Sequence, residues 1–259
     1  LKENLNRSLS PCKLEWSNPN RCNRLPKSER LAILSRMIAK VEVSDSSLSP
    51  ALDDLFQRGA HYGYSRTRRH ASVKSYVYGF KNKSAIIDLE KTVVALKEAK
   101  TFLQKVVASG RQLIFVGTKP EASAAIERAG KRLGLPYVTT RWIGGTLTNF
   151  VEIRRRIDRL VDLKRERETG NFDVYTKRER AKLKKEISNL ERYFSNLVTL
   201  TKLPGAIVVI DSDAEGIAVR EARRLGIPVV GLSSTDCDLT LVDYPIVGND
   251  ASSQSIEYF

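Results

Sequence analysis

Residues 141–150 combine a basic residue and an indole with a pair of glycines that opens a predicted helix. The glycine pair at 144–145 can adopt backbone angles closed to other residues, so an anion can approach the first free N–H groups of that helix. Arg141 would add a fixed positive charge at the same place. The alternative is a tight strand-to-helix turn with Trp142 in the core and Thr146 as the N-cap. The spacing therefore indicates either a phosphate-binding turn or a purely structural one.

A second stretch, residues 61–83, contains six Lys or Arg side chains and no Asp or Glu. Aromatic residues lie between these cations, and rings can stack on bases or riboses while cations neutralise phosphates. Tyr76, Tyr78 and Phe80 recur at strand spacing, which predicts that at least half of the rings fill a core or a sheet face. RNA contact is expected mainly from the cations. They are Arg66, Arg68, Arg69, Lys74, Lys81 and Lys83.

An apolar run that ends in Asp-Ser-Asp at 211–213 resembles the nucleophile strand of aspartate-dependent phosphatases. In such a site one carboxylate attacks phosphorus, the second acts as general acid or base, and magnesium bridges them. That chemistry also needs a downstream cation, and no lysine follows Lys202. The other interpretation is that Asp211 and Asp213 cap the helix beginning at Ala214. The sequence favours capping, with a magnesium-dependent phosphatase-like enzyme as the alternative.

Other enzyme classes lack their signatures. Residues 117–120 follow a strand without the Gly-Lys-Ser/Thr ending of a P-loop, and G-x-G-x-x-G does not occur. Neither His61 nor His70 lies in the context of a nucleophilic triad. The three cysteines share no metal-ligand spacing, and their odd number is typical of a reducing compartment. The sequence predicts no catalytic residue, no cofactor and no metal site.

From residue 113 the hydrophobic pattern alternates between strand and helix. The glycines Gly134 and Gly226 are the predicted helix stops. Such alternation is typical of a parallel sheet with helices on both faces, whose ligands bind at the carboxyl ends of the strands. Thr118, Arg141 and Asp211 are expected at that edge. Strands are predicted at 113–117, 136–140, 206–211 and 228–232, and helices at 121–133 and 214–225.

Between residues 150 and 200 the strand pattern stops and charged residues dominate. Leu and Ile recur at helical spacing on both sides of a break at 169–171. Each apolar stripe is too narrow to stabilise a helix alone, so the pattern predicts two antiparallel helices packed as a coiled hairpin. Its charged faces are either solvated or in contact with RNA.

The 259 residues carry a net charge of +14 with a pI near 9.8, which is typical of a protein whose partner has many phosphates. Residues 1–200 account for +19, whereas residues 201–259 contribute −5. Phosphate contacts are therefore expected on the first 200 residues. No run approaches the ~18 apolar residues of a membrane helix, and no secretory signal is visible, so a soluble protein without membrane contact is expected.

Taken in order, these segments resemble the universal S-two family, the second protein of the small ribosomal subunit. The resemblance covers roughly residues 51–259, and several motifs in the same order are far more specific than one. The stretches that carry it are 59–63, 78–82, 86–92, 141–150, 203–211, 221–229 and 244–250.

The resemblance implies an α/β fold, with a flavodoxin-like doubly wound parallel sheet and an inserted α-helical coiled hairpin. It implies a non-catalytic constituent of the small ribosomal subunit that binds rRNA and neighbouring ribosomal proteins, including the large messenger-binding protein. The ribosome would be bacterial or organellar, in a mitochondrion or plastid, and no small-molecule substrate is expected. A third interpretation is a free-standing interaction scaffold that uses the hairpin. The expected rRNA-binding residues beyond the six cations are Arg141, Trp142, Gly144, Gly145, Thr146 and Asn149.

The predicted domain organisation has four parts. Residues 1–50 form a basic N-terminal extension, interpreted either as a disordered leader or as a strap over RNA or protein. Residues 51–150 and 201–259 form the two parts of the α/β domain, and residues 151–200 form the hairpin inserted between them.

A cation site is also implied by the resemblance, because some family members hold a cation between matching His and Asp residues. In this chain those residues would be His61, Asp211 and Asp213, with Asp238 as a further ligand. Residues 234–236 read Ser-Thr-Asp where the family often has Asp-Thr-Asn. That departure counts against the site, and no metal is expected.

Overall fold

The computed structural model describes residues 48–170, 172 and 175–259, whose elements cluster into one compact unit. The predicted N-terminal extension falls almost entirely on residues 1–47, which lie outside the described residues. Among the residues described, no helix is both long enough and apolar enough to cross a membrane.

Helix α1 (Leu48–Gln57) precedes a small antiparallel sheet of three strands. The strands are β1 (Tyr62–Ser65), β2 (Val77–Lys81) and β3 (Ser84–Ile87), with β3 in the middle. Asn82 and Lys83 form the two-residue turn between β2 and β3, and both have positive φ, at 50° and 68°. Two positive φ values are the signature of the type I′ turn, whose twist matches that of the strands. Sequence periodicity indicated strand geometry at 76–80 but did not predict this sheet.

The larger sheet has five parallel strands, which are β4 (Leu113–Val116), β5 (Tyr137–Val138), β6 (Ala206–Ile210), β7 (Val229–Ser233) and β8 (Tyr244–Val247). Their order in the sheet is β5-β4-β6-β7-β8. In chain order this is second, first, third, fourth, fifth, which is the flavodoxin-like arrangement. The predicted parallel α/β fold is confirmed. The strand predicted at 136–140 is shorter, because β5 lies at the sheet edge and its neighbour β4 ends at Val116.

Helices cover both faces of this sheet. Alternate residues of a strand point to opposite faces, and Val229 and Val230 of β7 accordingly belong to different apolar cores. The helices are α2 (Leu89–Ala108), α3 (Pro120–Leu133), α4 (Phe150–Glu168), α5 (Lys177–Phe194), α6 (Gly216–Arg224) and α7 (Ser253–Tyr258). Val230 packs with residues of α2, α3 and α7, whereas Val229 packs with residues of α4, α5 and α6.

The predicted helix stops are confirmed at Gly134 and Gly226, whose φ values of 65° and 68° lie in the left-handed region. Glycine is favoured there because it has no Cβ to clash with the backbone. Helix α6 begins at Gly216 rather than at Ala214 as predicted. The intervening residues form turns whose first N–H groups bond to Asp211, so they do not enter the helical ladder.

Helices α4 and α5 lie between β5 and β6 in the chain and pack against each other. Ile157 and Leu160 of α4 share a buried core with Ile187 of α5. The ion pairs Arg159–Glu186 and Lys164–Glu191, at 3.4 Å and 2.9 Å, join the same two helices. The coiled form of this hairpin stays a prediction.

Candidate RNA-binding surface

The six predicted cations of residues 61–83 lie on or beside the small sheet. Five of them are exposed and Arg69 is half-buried. A 3₁₀ helix, Arg66–Arg68, follows β1, and a second one, Ala71–Tyr76, carries Lys74. The Arg66 N–H donates to the carbonyl oxygen of Lys83 at 3.2 Å, which brings the start of the 3₁₀ helix next to the β2–β3 turn.

The three arginines of residues 61–83 form cation–π contacts with aromatic rings. The guanidinium carbons of Arg66 and Arg69 lie 5.5 Å and 5.7 Å from the centre of the Phe80 ring. The guanidinium carbon of Arg68 lies 5.2 Å from the centre of the Tyr64 ring. Cation–π attraction restrains an arginine without neutralising it, so these side chains keep their charge for a phosphate.

Thr235, which follows β7, anchors this segment to the larger sheet. Its hydroxyl oxygen accepts a hydrogen bond from the Tyr64 N–H at 2.9 Å, and its carbonyl oxygen accepts one from the His70 N–H, also at 2.9 Å. A Cβ added at Gly63 would lie 2.6 Å from Thr235 Cγ2. Glycine is therefore required at 63 for the small sheet to approach so closely.

The glycine turn at 144–145 does bind an anion, but the anion is the Glu221 carboxylate of α6. One carboxylate oxygen accepts the Gly145 N–H at 2.6 Å and the Trp142 indole N–H at 3.4 Å. The other accepts the Leu147 N–H at 3.0 Å, with the N–H and hydroxyl of Thr148 at 3.3 Å and 3.4 Å. The donors predicted for phosphate are thus used within the chain.

Three of the residues predicted to contact rRNA are engaged inside the chain. Trp142 is only 5% exposed and packs in the core, so its ring has no surface for stacking on a base. The Gly145 N–H is taken by Glu221, and the buried Thr146 hydroxyl donates to the carbonyl oxygen of Ile143. Arg141, Gly144 and Asn149 remain exposed around the turn.

A buried charge cluster lies at the carboxyl ends of the central strands. Lys119 Nζ forms ion pairs with Asp211 Oδ2 and, at 2.8 Å, with Asp250 Oδ2. Burial acts to lower the pKa of Lys119, but the bonds and charges of the two carboxylates outweigh it and the pKa lies above its usual range. Burial acts to raise the pKa of Asp211, yet its bonds from Lys119 and the Ala214 N–H hold it below its usual range. Burial raises the pKa of Asp250 to about 6.

Neither aspartate of the Asp-Ser-Asp sequence caps α6, whose N-cap is Glu215, but Asp211 stabilises the turn before that helix. Asp211 Oδ1 accepts the N–H groups of Asp213 and Ala214 at 3.0 Å and 3.2 Å, and Asp211 has a positive φ of 66°. Asp213 itself is exposed. Lys119 occupies the space between Asp211 and Asp250, and this lysine precedes the strand instead of lying downstream of it. The contacts therefore favour a structural role over phosphatase chemistry.

Of the residues implied for a cation site, the structure gathers Asp211 with other potential ligands, but not His61, Asp213 or Asp238. Among the described residues, the group of potential ligand atoms within 4.8 Å of one another consists of Asp211, Cys237 and Asp250. Burial raises the pKa of the Cys237 thiol to about 12. Asp238 instead lies 3.7 Å from His70.

His61 is also outside that group. Its ring stacks on Phe56 at a centroid distance of 4.3 Å, and burial, followed by the charge of Lys81, lowers its pKa. The positive charge bonded to Asp211 and Asp250 is that of Lys119.

A family model described as ribosomal protein S2 matches residues 55–259. The chain belongs to the ribosomal protein S2 family. It is 43% identical over 202 residues to the small ribosomal subunit protein uS2 of Roseiflexus sp. (strain RS-1), which covers 78% of this chain and 77% of that relative. It is 39% identical over 208 residues to the protein of the same name from Treponema pallidum (strain Nichols), which covers 80% of this chain and 72% of that relative.

Membership of the ribosomal protein S2 family confirms the resemblance found in the sequence. The family is a structural, non-enzymatic one associated with small-subunit rRNA and ribosomal proteins. Sequence reasoning missed Glu221, Lys119 and Asp250 as organising residues. For Glu221 a signal was present, since it lies between Ala218 and Ala222 on the apolar side of an amphipathic helix, where a carboxylate needs donors.

Proposed function

We propose that this protein is a structural constituent of the small ribosomal subunit and acts by binding and holding rRNA. The observation that carries the proposal is the match of the ribosomal protein S2 family over residues 55–259. The arginine-rich segment supports it, because exposed cations without neighbouring acids in sequence are suited to phosphates.

The proposed rRNA contacts fall into two groups. The first is the basic segment with its cations Arg66, Arg68, Arg69, Lys74, Lys81 and Lys83. The second is the exposed part of the glycine turn, where Arg141 supplies charge and Gly144 and Asn149 lie at the surface. In this proposal Trp142, Gly145 and Thr146 shape the turn from inside and do not touch RNA.

No catalytic step is part of the proposed function. The family is structural, and the carboxylate of Asp211 is engaged by Lys119 and by the turn before α6. A phosphatase would need that carboxylate as a free nucleophile.

The finer placement follows from the family resemblance alone. The protein would contact neighbouring small-subunit proteins, including the large messenger-binding protein, in a bacterial or organellar ribosome. The four-part organisation, with boundaries at residues 50, 150 and 200, belongs to the same proposal, and residues 1–50 are its candidate for contacts specific to this protein.

Binding of the full chain to small-subunit rRNA in a salt series tests the proposal. Each phosphate neutralised releases counterions, so the logarithm of the association constant should fall linearly with the logarithm of salt concentration. A steep negative slope with that rRNA, and weaker binding to an unrelated RNA of equal length, is expected. Equal affinity for both RNAs, or no binding at low salt, would count against the proposed function.

A further inference from the structure

An open depression beside the β2–β3 turn has the chemistry of a nucleotide site. Five residues line it, and its volume of about 340 Å³ is at the lower end of the range of small-ligand pockets. The space is suited to one nucleotide and is too small for a helix of RNA. The lining residues are Ser65, Arg66, Thr67, Phe80 and Lys83.

Each component of a nucleotide has a matching group in this depression. The Phe80 ring is 43% exposed and has the guanidinium groups of Arg66 and Arg69 over it, so a base stacking here would lie against the ring and these planar groups. Arg66 and Lys83 supply positive charge for the phosphate. The hydroxyls of Ser65 and Thr67, 3.0 Å apart, can bond to a ribose hydroxyl.

The charges in this depression are not neutralised. Residues 61–83 contain no Asp or Glu, and within the part of the chain that the structure describes neither Arg66 nor Lys83 forms an ion pair with a carboxylate. Arg69 adds a third cation, since its guanidinium also lies over the Phe80 ring. The surroundings therefore fit an anionic occupant and disfavour an apolar peptide.

Lys83 provides independent support from backbone geometry. It has φ of 68° at the second position of the turn, where glycine is the residue that suits this angle without strain. A lysine is tolerated at that position at a cost in stability, and residues held in such conformations concentrate at functional sites. The turn places the Lys83 side chain on the rim of the depression.

We propose that this depression binds a single unpaired nucleotide of rRNA, with its base stacked on Phe80 and its phosphate held by Arg66 and Lys83. The inference rests on the proposed function and adds the class of RNA element recognised. It predicts a preference for bulged or looped nucleotides, whose bases are free to stack, over paired ones.

Fluorescence anisotropy with two RNA hairpins tests this preference in the full chain. The two hairpins share one stem, closed by a non-nucleotide linker in place of a loop, and one of them carries a single unpaired nucleotide within that stem. The wild-type chain should bind the bulged hairpin about tenfold more tightly, the typical contribution of one stacked base. Phe80→Leu should abolish the preference and leave affinity for the paired hairpin within about twofold, whereas Phe80→Tyr should retain it.

Lys83→Gly gives a second test in which two readouts move in opposite directions. Glycine relieves the strained turn and removes the amine, so the chain should unfold at higher temperature while binding the bulged hairpin about threefold to tenfold more weakly. A merely structural role for Lys83 predicts no loss of RNA binding in this more stable variant.

The outcomes separate this inference from the proposed function. Equal affinity for the two hairpins, or an unchanged preference in Phe80→Leu, would overturn the nucleotide site while rRNA binding stands. Failure to bind either hairpin and rRNA alike would contradict both. Loss of contact with another small-subunit protein in Phe80→Leu, with RNA preference intact, would reassign the depression to a protein partner.

Discussion

The Glu221 carboxylate accepts the Gly145 N–H at 2.6 Å and so fills the turn that the sequence offers to an anion. Helix α6 supplies the carboxylate, and the turn leads into α4, the first helix of the hairpin. Because the turn also carries the exposed Arg141, this one contact fixes a candidate RNA-binding residue and the start of the hairpin relative to the central sheet. The geometry that binds phosphate in other proteins thus stabilises the fold of this chain.

Replacing this carboxylate should destabilise the protein strongly. In Glu221→Ala the donors of Gly145, Leu147 and Trp142 lose their acceptor inside the protein, and unpaired buried groups are costly. We expect the free energy of unfolding in urea to fall by about 3 kcal/mol.

A matched control is available at the surface. Glu257 forms an exposed ion pair with Arg128 at 2.7 Å, and exposed pairs of this kind contribute less than about 1 kcal/mol. A Glu257→Ala variant as unstable as Glu221→Ala would show that the buried contact has no special role.

The contact between Gly63 and Thr235 predicts a second effect. In Gly63→Ala the added methyl carbon would lie 2.6 Å from Thr235 Cγ2, so the small sheet has to shift away from the larger one. We expect a loss of about 1–3 kcal/mol in the free energy of unfolding. At Gly79 an added Cβ meets nothing within 4 Å, which makes Gly79→Ala the matched control.

A Thr235→Ser change removes the crowded methyl and keeps the hydroxyl that accepts the Tyr64 N–H. It should restore much of the stability lost in Gly63→Ala. A double variant no more stable than Gly63→Ala alone would mean that the clash is not the cause.

Asp250 predicts a pH dependence with a definite sign. Burial raises its pKa to about 6, whereas an unfolded Asp titrates near 3.9. Between these values the folded state binds a proton that the unfolded state does not, so this group's contribution to stability falls as pH rises from about 4 to about 6.

Asp250→Asn removes that titration. Comparison of urea unfolding at several pH values should show wild-type stability falling relative to the variant by up to about 1.4 kcal/mol per pH unit in this window. Parallel curves for the two proteins between pH 4 and 6 would contradict the raised pKa.

Much of the larger sheet was predictable, because the signals for its strands and helices lie in short stretches of sequence. Its strands are short apolar runs between helices with glycine stops, such as Gly134 and Gly226, and each signal lies within one stretch of sequence. The flavodoxin-like order came from the family resemblance. The small sheet was not predicted, because β1 and β2 are not continuous apolar runs and because its packing depends on Thr235, far along the chain.

The candidate site was predictable in its charges and not in its contacts. The absence of Asp and Glu in residues 61–83 is visible in the sequence, and it predicts that the arginines there are available to phosphates. By contrast, the sequence of the glycine turn does not show whether its anion is a phosphate or a carboxylate from elsewhere in the chain. Only the fold brings Glu221 within reach of Gly145, across 76 residues of sequence.

The arginines predict a specific change in salt dependence. Replacing Arg66, Arg68 and Arg69 by alanine removes up to three phosphate contacts, which should make the salt slope of rRNA binding shallower by about 2–3. The control replaces Lys100, Lys105 and Arg132, which are exposed on α2 and α3, and lowers the net charge equally. Equal changes in slope for the two variants would show that total charge, and not this segment, controls binding.

Sedimentation of the tagged full chain in a lysate of its source cells, at moderate and high salt and with and without RNase, tests directly whether the protein belongs to the small subunit. The ribosomal assignment predicts co-migration with the small subunit, loss of that co-migration after RNase, and weaker association at high salt. Migration as a free protein under every condition would contradict it, and magnesium-dependent phosphatase activity requiring Asp211 would then be measured.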